Sequence, residues 1–505
     1  MEEINSLIEK DDNPDLGPEA SEVIKSFDGP KLEYVGTGTA DFQAQPLILG
    51  QNGQPIILSD WEMHAKHEVD TDKQHPENFP HFLEEYELYI KRAEELGLNM
   101  FRFSLDFARL CPSENEFNEK MMGEYVRALA TVKSHGMEPV LCIYHWPMPK
   151  YLLDIDNKGH IKAGGWENPK VQEHFKFYVE NVVSYLGNDK KISSALSEVG
   201  FSPEDQDKIV EEGLVQYFLT INEPTSILGP GYLLGTFPPY KKGNILGAIS
   251  VLEQLATAHN NAMEELSELG KRKGAKVPQV AATHNWALIE GLPNFGNKLD
   301  FNKLVSEVSN YYVTRFMEDT SQSDFMALQY YHRLKFPLVH GSSDQRIYGD
   351  MPDFGDIYMP GISKVLMEMH DQYPNKPIMV TEFGFSDKSD LLRPYWLLET
   401  TRYALETKKM GVPLRGMLQW SLVNNYEWAH GMDVPFGLFN EEQLSQPLIS
   451  SQENSVTSWE VLKSIASVLL PQDEKSQQDN LKELDRIYTI AYEQFTNEVE
   501  RRQKK

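Results

Sequence analysis

Cysteine is almost absent from this chain of 505 residues, which has only Cys111 and Cys142. Two thiols are too few for a disulfide framework or a thiolate metal cluster, and their scarcity fits a reducing compartment. Long hydrophobic runs are missing too. The longest, such as that around Pro377–Val380, are strand-sized against the roughly 20 residues needed to cross a bilayer, so no membrane span is expected. The N-terminus, MEEINSLIEKDDNPD, lacks the basic start and apolar stretch of a secretory signal. That argues against export by this route and for a cytoplasmic location. Basic residues are outnumbered: 48 Lys and Arg against 76 Asp and Glu leave a formal net charge of −28. Such a surface repels phosphate backbones and anionic lipid, which disfavours nucleic-acid and membrane-surface roles. Nor is there a compact set of metal ligands. His64 and His67 stand three apart with no evident third partner, and Gly229-Pro230-Gly231 lacks the Lys-Ser/Thr of a phosphate loop. Neither a metal nor an organic cofactor is expected.

What is present is the composition of a globular protein with a large core: 40% hydrophobic, 25% charged and 11% aromatic residues. After a polar arm over residues 1–32, short apolar runs alternate with amphipathic stretches. Eight runs read as strands: Tyr34–Ala40, Asn99–Ser104, Glu138–His145, Tyr217–Asn222, Val277–His284, Asp324–Tyr331, Pro377–Glu382 and Gly416–Leu422. Eight strands alternating with helices over residues 33–470 favour a single (β/α)₈ TIM barrel over a doubly wound sheet. Two insertions stand out, Gly187–Gly213, with Ser202 as a helix cap, and Gly291–Ser323. In residues 471–505, Leu481, Leu484, Tyr488, Ala491, Phe495 and Val499 recur at helical spacing. They mark a C-terminal amphipathic helix whose expected partner is the chain's own barrel, with a contact between subunits of a homo-oligomer as the alternative.

In a barrel, reactive groups gather where strands end at the C-terminal face. Glu223 ends FLTINEP and Glu382 ends PIMVTEFG. Singly, each also fits a helix-start or surface carboxylate. Together, two carboxyl groups about 5–5.5 Å apart can cleave a glycosidic bond with retention, one attacking the anomeric carbon while the other protonates the departing oxygen.

The segments YHWPMP, GGW, TINEP followed by GYLLGTFPP, and QWSLVNNYEWAHG occur in that order between about Gly36 and Phe439. In these the chain resembles glycoside hydrolase family 1, the β-glucosidase and β-galactosidase family. Through SDKSDLLRPYWLLE and GVPLRGMLQWSLVNNYEWAHG it is similar above all to the archaeal-type β-glycosidases and the plant galactolipid-remodelling enzymes. The resemblance implies Glu223 as general acid/base and Glu382 as nucleophile. It implies Arg102 and Tyr331 beside the nucleophile, though Arg102 also fits a salt bridge between strands and Tyr331 core packing. It assigns sugar contacts to Gln43, His145, Trp146, Asn222, Glu427 and Trp428, with Trp420 as a flat platform under the ring. A carboxylate at Glu427 implies an unphosphorylated sugar of gluco or galacto configuration in a small-molecule or oligosaccharide β-glycoside.

Departures from the family pattern are equally specific. Phe383 stands where Asn is usual, and strand seven is expected to lose a polar contact near the carboxylate. Gln329 replaces an Asn, Gln45 a Glu and Pro435 an Arg, and EEQLSQPLISSQENS replaces the usual segment beyond Phe439. Leaving-group contacts are expected on loops that include Lys158–Gly165 and the stretch after Phe439. The expected activity is retaining hydrolysis of terminal β-D-glucosyl or β-D-galactosyl residues. A transglycosylase using the same carboxylates and a non-catalytic carbohydrate-binding protein are the alternatives.

Overall fold

The computed structural model describes residues 20–29, 31–51, 55–71, 73–74, 79–286, 288–291, 311–336, 349–351, 355–451, 454–471 and 473–503. Its central sheet is built from β1 (Tyr34–Gly38), β2 (Met100–Ser104), β3 (Glu138–Tyr144), β4 (Tyr217–Ile221), β5, β6 (Met326–Tyr330), β7 (Ile378–Phe383) and β8 (Leu414–Trp420). β5 runs in two pieces, Gln279–Ala281 and Thr283–Asn285. The first pairs with β4 and the second with β6. Every other strand pairs in parallel with its neighbours in sequence, and β1 pairs with β8. The sheet therefore closes on itself as a (β/α)₈ barrel through the divided fifth strand. The observed strands overlap all eight expected ones.

Both faces of these strands are covered, which is why they read as continuous apolar runs rather than alternating ones. Met100, Val140, Cys142, Leu219, Ala281, Phe325, Ala327, Met379 and Leu418 pack inside the barrel as an apolar plug. Phe101, Phe103, Leu141, Ile143, Phe218, Leu328 and Val380 face the helices outside. Typical of that outer layer is the helix Glu119–Ser134. Its Asn118 side chain caps the Met121 amide at 3.0 Å, and Met122, Tyr125, Val126, Leu129 and Val132 are buried.

The insertion at Gly187–Gly213 is two short helices, Asp189–Glu198 and Pro203–Glu212, and Ser202 caps the second as expected. Of the insertion at Gly291–Ser323, residues 292–310 lie outside the described residues, and 311–319 are helical with Tyr312, Phe316 and Met317 buried. The expected polar arm at residues 1–32 ends in a helix, Ala20–Phe27, whose Val23 and Phe27 are buried in the core. The last helix, Glu474–Gln503, packs on the chain's own barrel helices through Leu484, Tyr488, Ala491 and Phe495. Tyr395, on the helix Arg393–Lys409, meets Phe495 with ring centroids 4.8 Å apart. Among the described residues, no helix is long and apolar enough to cross a membrane.

Truncating Phe495 leaves a void at this junction. We expect Phe495→Ala to lower unfolding free energy by about 3–5 kcal/mol, read by denaturant titration, while KM per folded molecule stays at the parent value.

Candidate active site

Above the apolar plug, the strand ends on one face of the barrel carry polar side chains that enclose a cavity of about 470 Å³. Gln43, His145, Trp146, Asn222, Glu223, Tyr331, Glu382, Trp420, Glu427 and Trp428 line it. Ten of the eleven residues singled out from the sequence thus share one space. The eleventh, Arg102, is buried within bonding distance of Glu382.

Glu382 reaches the cavity because β7 carries one extra residue. Leu328 pairs with Val380 but Gln329 with Glu382, and on the other side Val380 pairs with Met417 but Phe383 with Gln419. Such a bulge re-aims the side chains that follow it. Before it, Met379 faces the plug and Val380 the helices; after it, Glu382 lines the cavity and Phe383 faces the helices. Phe383 lies on Trp396 there, with ring centroids 6.0 Å apart. The expected loss of a polar contact is thereby corrected, since residue 383 points away from the pocket. Gly384 follows because a Cβ there would stand 2.2 Å from the Trp420 carbonyl oxygen.

Glu223 is held differently. It adopts a left-handed conformation (φ 42°, ψ 67°) at the start of the helix Pro224–Leu228, with proline in the first helical position. Its backbone N–H donates to Thr283 Oγ1 at 2.8 Å. A non-glycine residue in this region costs of order 1–3 kcal/mol, and such strain tends to cluster at functional sites.

The two carboxyl groups meet opposite electrostatics. Glu382 Oε1 accepts from Arg102 Nη1 and, at 2.6 Å, from Gln329 Nε2, while Oε2 accepts from the Tyr331 hydroxyl. Burial raises the Glu382 carboxyl above its ordinary range, and the Arg102 charge and these hydrogen bonds oppose that rise, favouring the anion. Among the described residues, Glu223 has no bonded cation. Burial and the Glu382 charge push it up to about 8, against the weaker pull of Ser226 and Asn285, whose amide donates at 3.1 Å. Glu427 is likewise driven to about 8 by burial and the other two carboxyl groups, while Gln43 donates to it at 3.2 Å. The cavity therefore holds one carboxyl group clamped by a cation and two that burial and neighbouring charge push up to about 8.

Asn222 joins these groups. Its Oδ1 accepts from Arg102 Nη2 and Gln329 Nε2, each at 2.7 Å, so Nδ2 turns towards His145 Nε2 at 3.0 Å. Burial keeps the His145 imidazole neutral. Because Nε2 accepts from Asn222, the hydrogen-bond network assigns the ring proton to Nδ1. Trp146 donates Nε1–H to the Asn222 carbonyl at 2.8 Å and packs against Trp428, ring centroids 4.3 Å apart. Trp420 forms the floor, with Arg102 5.8 Å from its ring centroid.

Pro230, Leu234, Thr236, Phe237, Met351 and Phe436 also line the cavity, with Phe436 packed on Tyr331 at 5.9 Å between ring centroids. None of these is on the loops expected to contact a leaving group. Among the described residues, neither Lys158–Gly165 nor anything past Phe439 lines the cavity. Sequence reasoning also passed over Asn285, Ser226 and Thr283, which hold Glu223. Asn285 stands one residue beyond the expected end of the fifth strand, and that polar residue closing an apolar run was its signal. Gln45 and Pro435 do not line the cavity, so their departures leave its surface unchanged.

Residues 35–205 and 297–459 match the family described as Glycosyl hydrolase family 1. Over 468 residues the chain is 24% identical to Beta-glucosidase A of Thermotoga maritima, covering 84% of this chain and 95% of that protein. It is 24% identical over 377 residues to Beta-glucosidase-like SFR2, chloroplastic, of Oryza sativa subsp. japonica, covering 69% of this chain and 50% of that one. The chain thus spans half the length of the rice protein. The crystal structure of a hyperthermophilic beta-glucosidase from Pyrococcus furiosus superposes with a TM-score of 0.69 at 22% identity, covering 90% of this chain and 99% of that one.

The protonation pattern is directly observable. Difference infrared spectra should show protonated buried carboxyl groups at pH 6 that are lost as pH rises through about 8. Glu223→Gln should remove one such component, and an unchanged spectrum would contradict a protonated Glu223.

Proposed function

Because the chain belongs to glycosyl hydrolase family 1, we propose that it is a retaining β-glycosidase acting on terminal β-D-glucosyl or β-D-galactosyl residues. The observation that carries this reading is the unequal treatment of two carboxyl groups in one cavity. Glu382 is held as an anion by Arg102, Tyr331 and Gln329, while Glu223 keeps its proton to about 8. An anion and an acid facing one space are what double displacement requires.

In the first step a Glu382 oxygen bonds to the anomeric carbon as the glycosidic bond breaks. The leaving oxygen takes the Glu223 proton, leaving a covalent glycosyl-enzyme and a Glu223 carboxylate. In the second, that carboxylate removes a proton from water attacking the anomeric carbon, the bond to Glu382 breaks, and both carboxyl groups regain their starting forms. Asn222 Nδ2–H serves as donor to the sugar, His145, Gln43 and Glu427 bind further hydroxyls, and Trp420 supports the apolar ring face. Among the described residues that line the cavity none is a lysine or arginine, which disfavours a phosphorylated sugar. The apolar side chains Leu234 and Phe237 in the lining favour an apolar aglycone such as an aryl or alkyl group.

Turnover of an aryl β-glucoside and β-galactoside, followed by NMR, should release the β-anomer first; an initial α-anomer would refute retention. Glu382→Ala should lower kcat by about 10⁴-fold or more, and added azide should restore turnover by forming an α-glycosyl azide. The alkaline limb of the parent's kcat/KM profile should fall near pH 8, where Glu223 loses its proton. It should be absent in Glu223→Gln.

A further inference from the structure

Gln329 occupies the position where the family resemblance places an asparagine, one methylene shorter. Its side chain is fully buried at the end of β6. The amide nitrogen uses both hydrogens, one on Glu382 Oε1 at 2.6 Å and one on Asn222 Oδ1 at 2.7 Å. Its carbonyl oxygen stands 3.3 Å from the Thr283 hydroxyl, which accepts from the Glu223 backbone N–H. One side chain therefore touches both the carboxylate read as nucleophile and the amide beside the acid, and connects to the backbone of the acid itself.

We propose that Gln329 is a positioning residue that sets the Glu382 carboxylate and the Asn222 amide as a single unit. This rests on reading Glu382 as the nucleophile. The second half of the argument concerns orientation. With Asn222 Oδ1 occupied by donors from Arg102 and Gln329, only Nδ2–H remains for the substrate. Asn222 is then a fixed donor to the sugar 2-hydroxyl, and that contact gains strength as charge develops at the neighbouring anomeric carbon. Without Gln329, Glu382 keeps Arg102 and Tyr331 but loses a neutral donor, and Asn222 loses one of the groups that prevent its amide from turning over.

The charged and titratable groups around Glu382 are Arg102 from β2, Cys142 from β3, Glu223 after β4, Tyr331 after β6 and Glu427 beyond β8. His145 also lines the cavity and is neutral. None of these changes when Gln329 is replaced, so a displaced acid limb reports the missing donor. The sign is fixed. A hydrogen bond to the anion lowers its pKa, so losing that bond moves the acid limb to higher pH.

The test compares full-length Gln329→Met, which keeps length and volume without the donor, with Gln329→Asn and with Glu382→Ala. An aryl β-glucoside and its 2-deoxy analogue are followed across pH. In Gln329→Met, kcat/KM should fall about ten- to a hundredfold, the range for a hydrogen bond to a charged group. Its acid limb should move to higher pH, and the penalty for removing the 2-hydroxyl should shrink. Gln329→Asn should shift both readouts in the same direction, and it decides alone should the methionine variant not fold. Folded variants that keep the parent's acid limb and 2-deoxy ratio overturn the inference, whatever their absolute rates. Glu382→Ala that retains parent activity overturns instead the nucleophile reading on which it rests.

Discussion

The ion pair between Arg102 and Glu382 is the constraint around which the rest of the barrel is arranged. Both groups are buried, and removing two charges from water costs several kcal/mol per ion before their attraction repays it. Such a pair persists only where further hydrogen bonds satisfy it. Here the surroundings provide them: Thr381 accepts from Arg102 Nη1 at 3.1 Å, Asn222 from Nη2, and Tyr331 and Gln329 donate to the carboxylate. Below lies a plug that is apolar but for the Cys142 thiol, and beside it stands a second carboxyl group that cannot ionise cheaply while the first is charged. The acid and the anion are therefore set by one electrostatic decision rather than by two.

This arrangement explains why polar side chains lie in one layer. The inner faces of β2 to β8 supply methionine, valine, leucine, alanine and phenylalanine at the lower level. The polar layer begins where the strands run out, with Arg102, Asn222, Thr283, Gln329 and Glu382 meeting one another before they meet the cavity. Each is buried yet bonded, as groups in a low-dielectric region must be. Stability is concentrated beneath and around the layer, and reactivity above it.

Much of this was legible in the amino acids. The strands declare themselves because they are covered on both sides, so apolar runs of strand length separated by helical spacing leave little choice of architecture. Glu223 and Glu382 could be found because a carboxylate after such a run is conspicuous and two of them suggest a division of roles. Other features have no sequence signal. The division of β5 at Ala282 and the extra residue in β7 depend on neighbouring strands, and nothing in IMVTEFG says which of Glu382 and Phe383 faces inward. The same limit made Phe383 look like a loss to the pocket when it belongs to the helix layer. The loops expected to contact a leaving group are not among the described residues that line the cavity, because loops that lie far apart in sequence compete for that position. Asn285 was missed by one residue, a strand end being the least certain part of any reading by periodicity.

The extra residue in β7 also limits how this barrel can change. On a regular strand side chains alternate, so residues two apart share a side and Glu382 would join Val380 against the helices. Straightening the strand at its present length would swing an anion into the hydrocarbon layer beneath the helices and a benzyl group towards the cavity, whereas removing Thr381 would leave Glu382 next to Val380 and still facing inward. Substitutions can tune this strand residue by residue, but its length and its regularity are tied: with Thr381 present the carboxylate needs the irregularity to face inward.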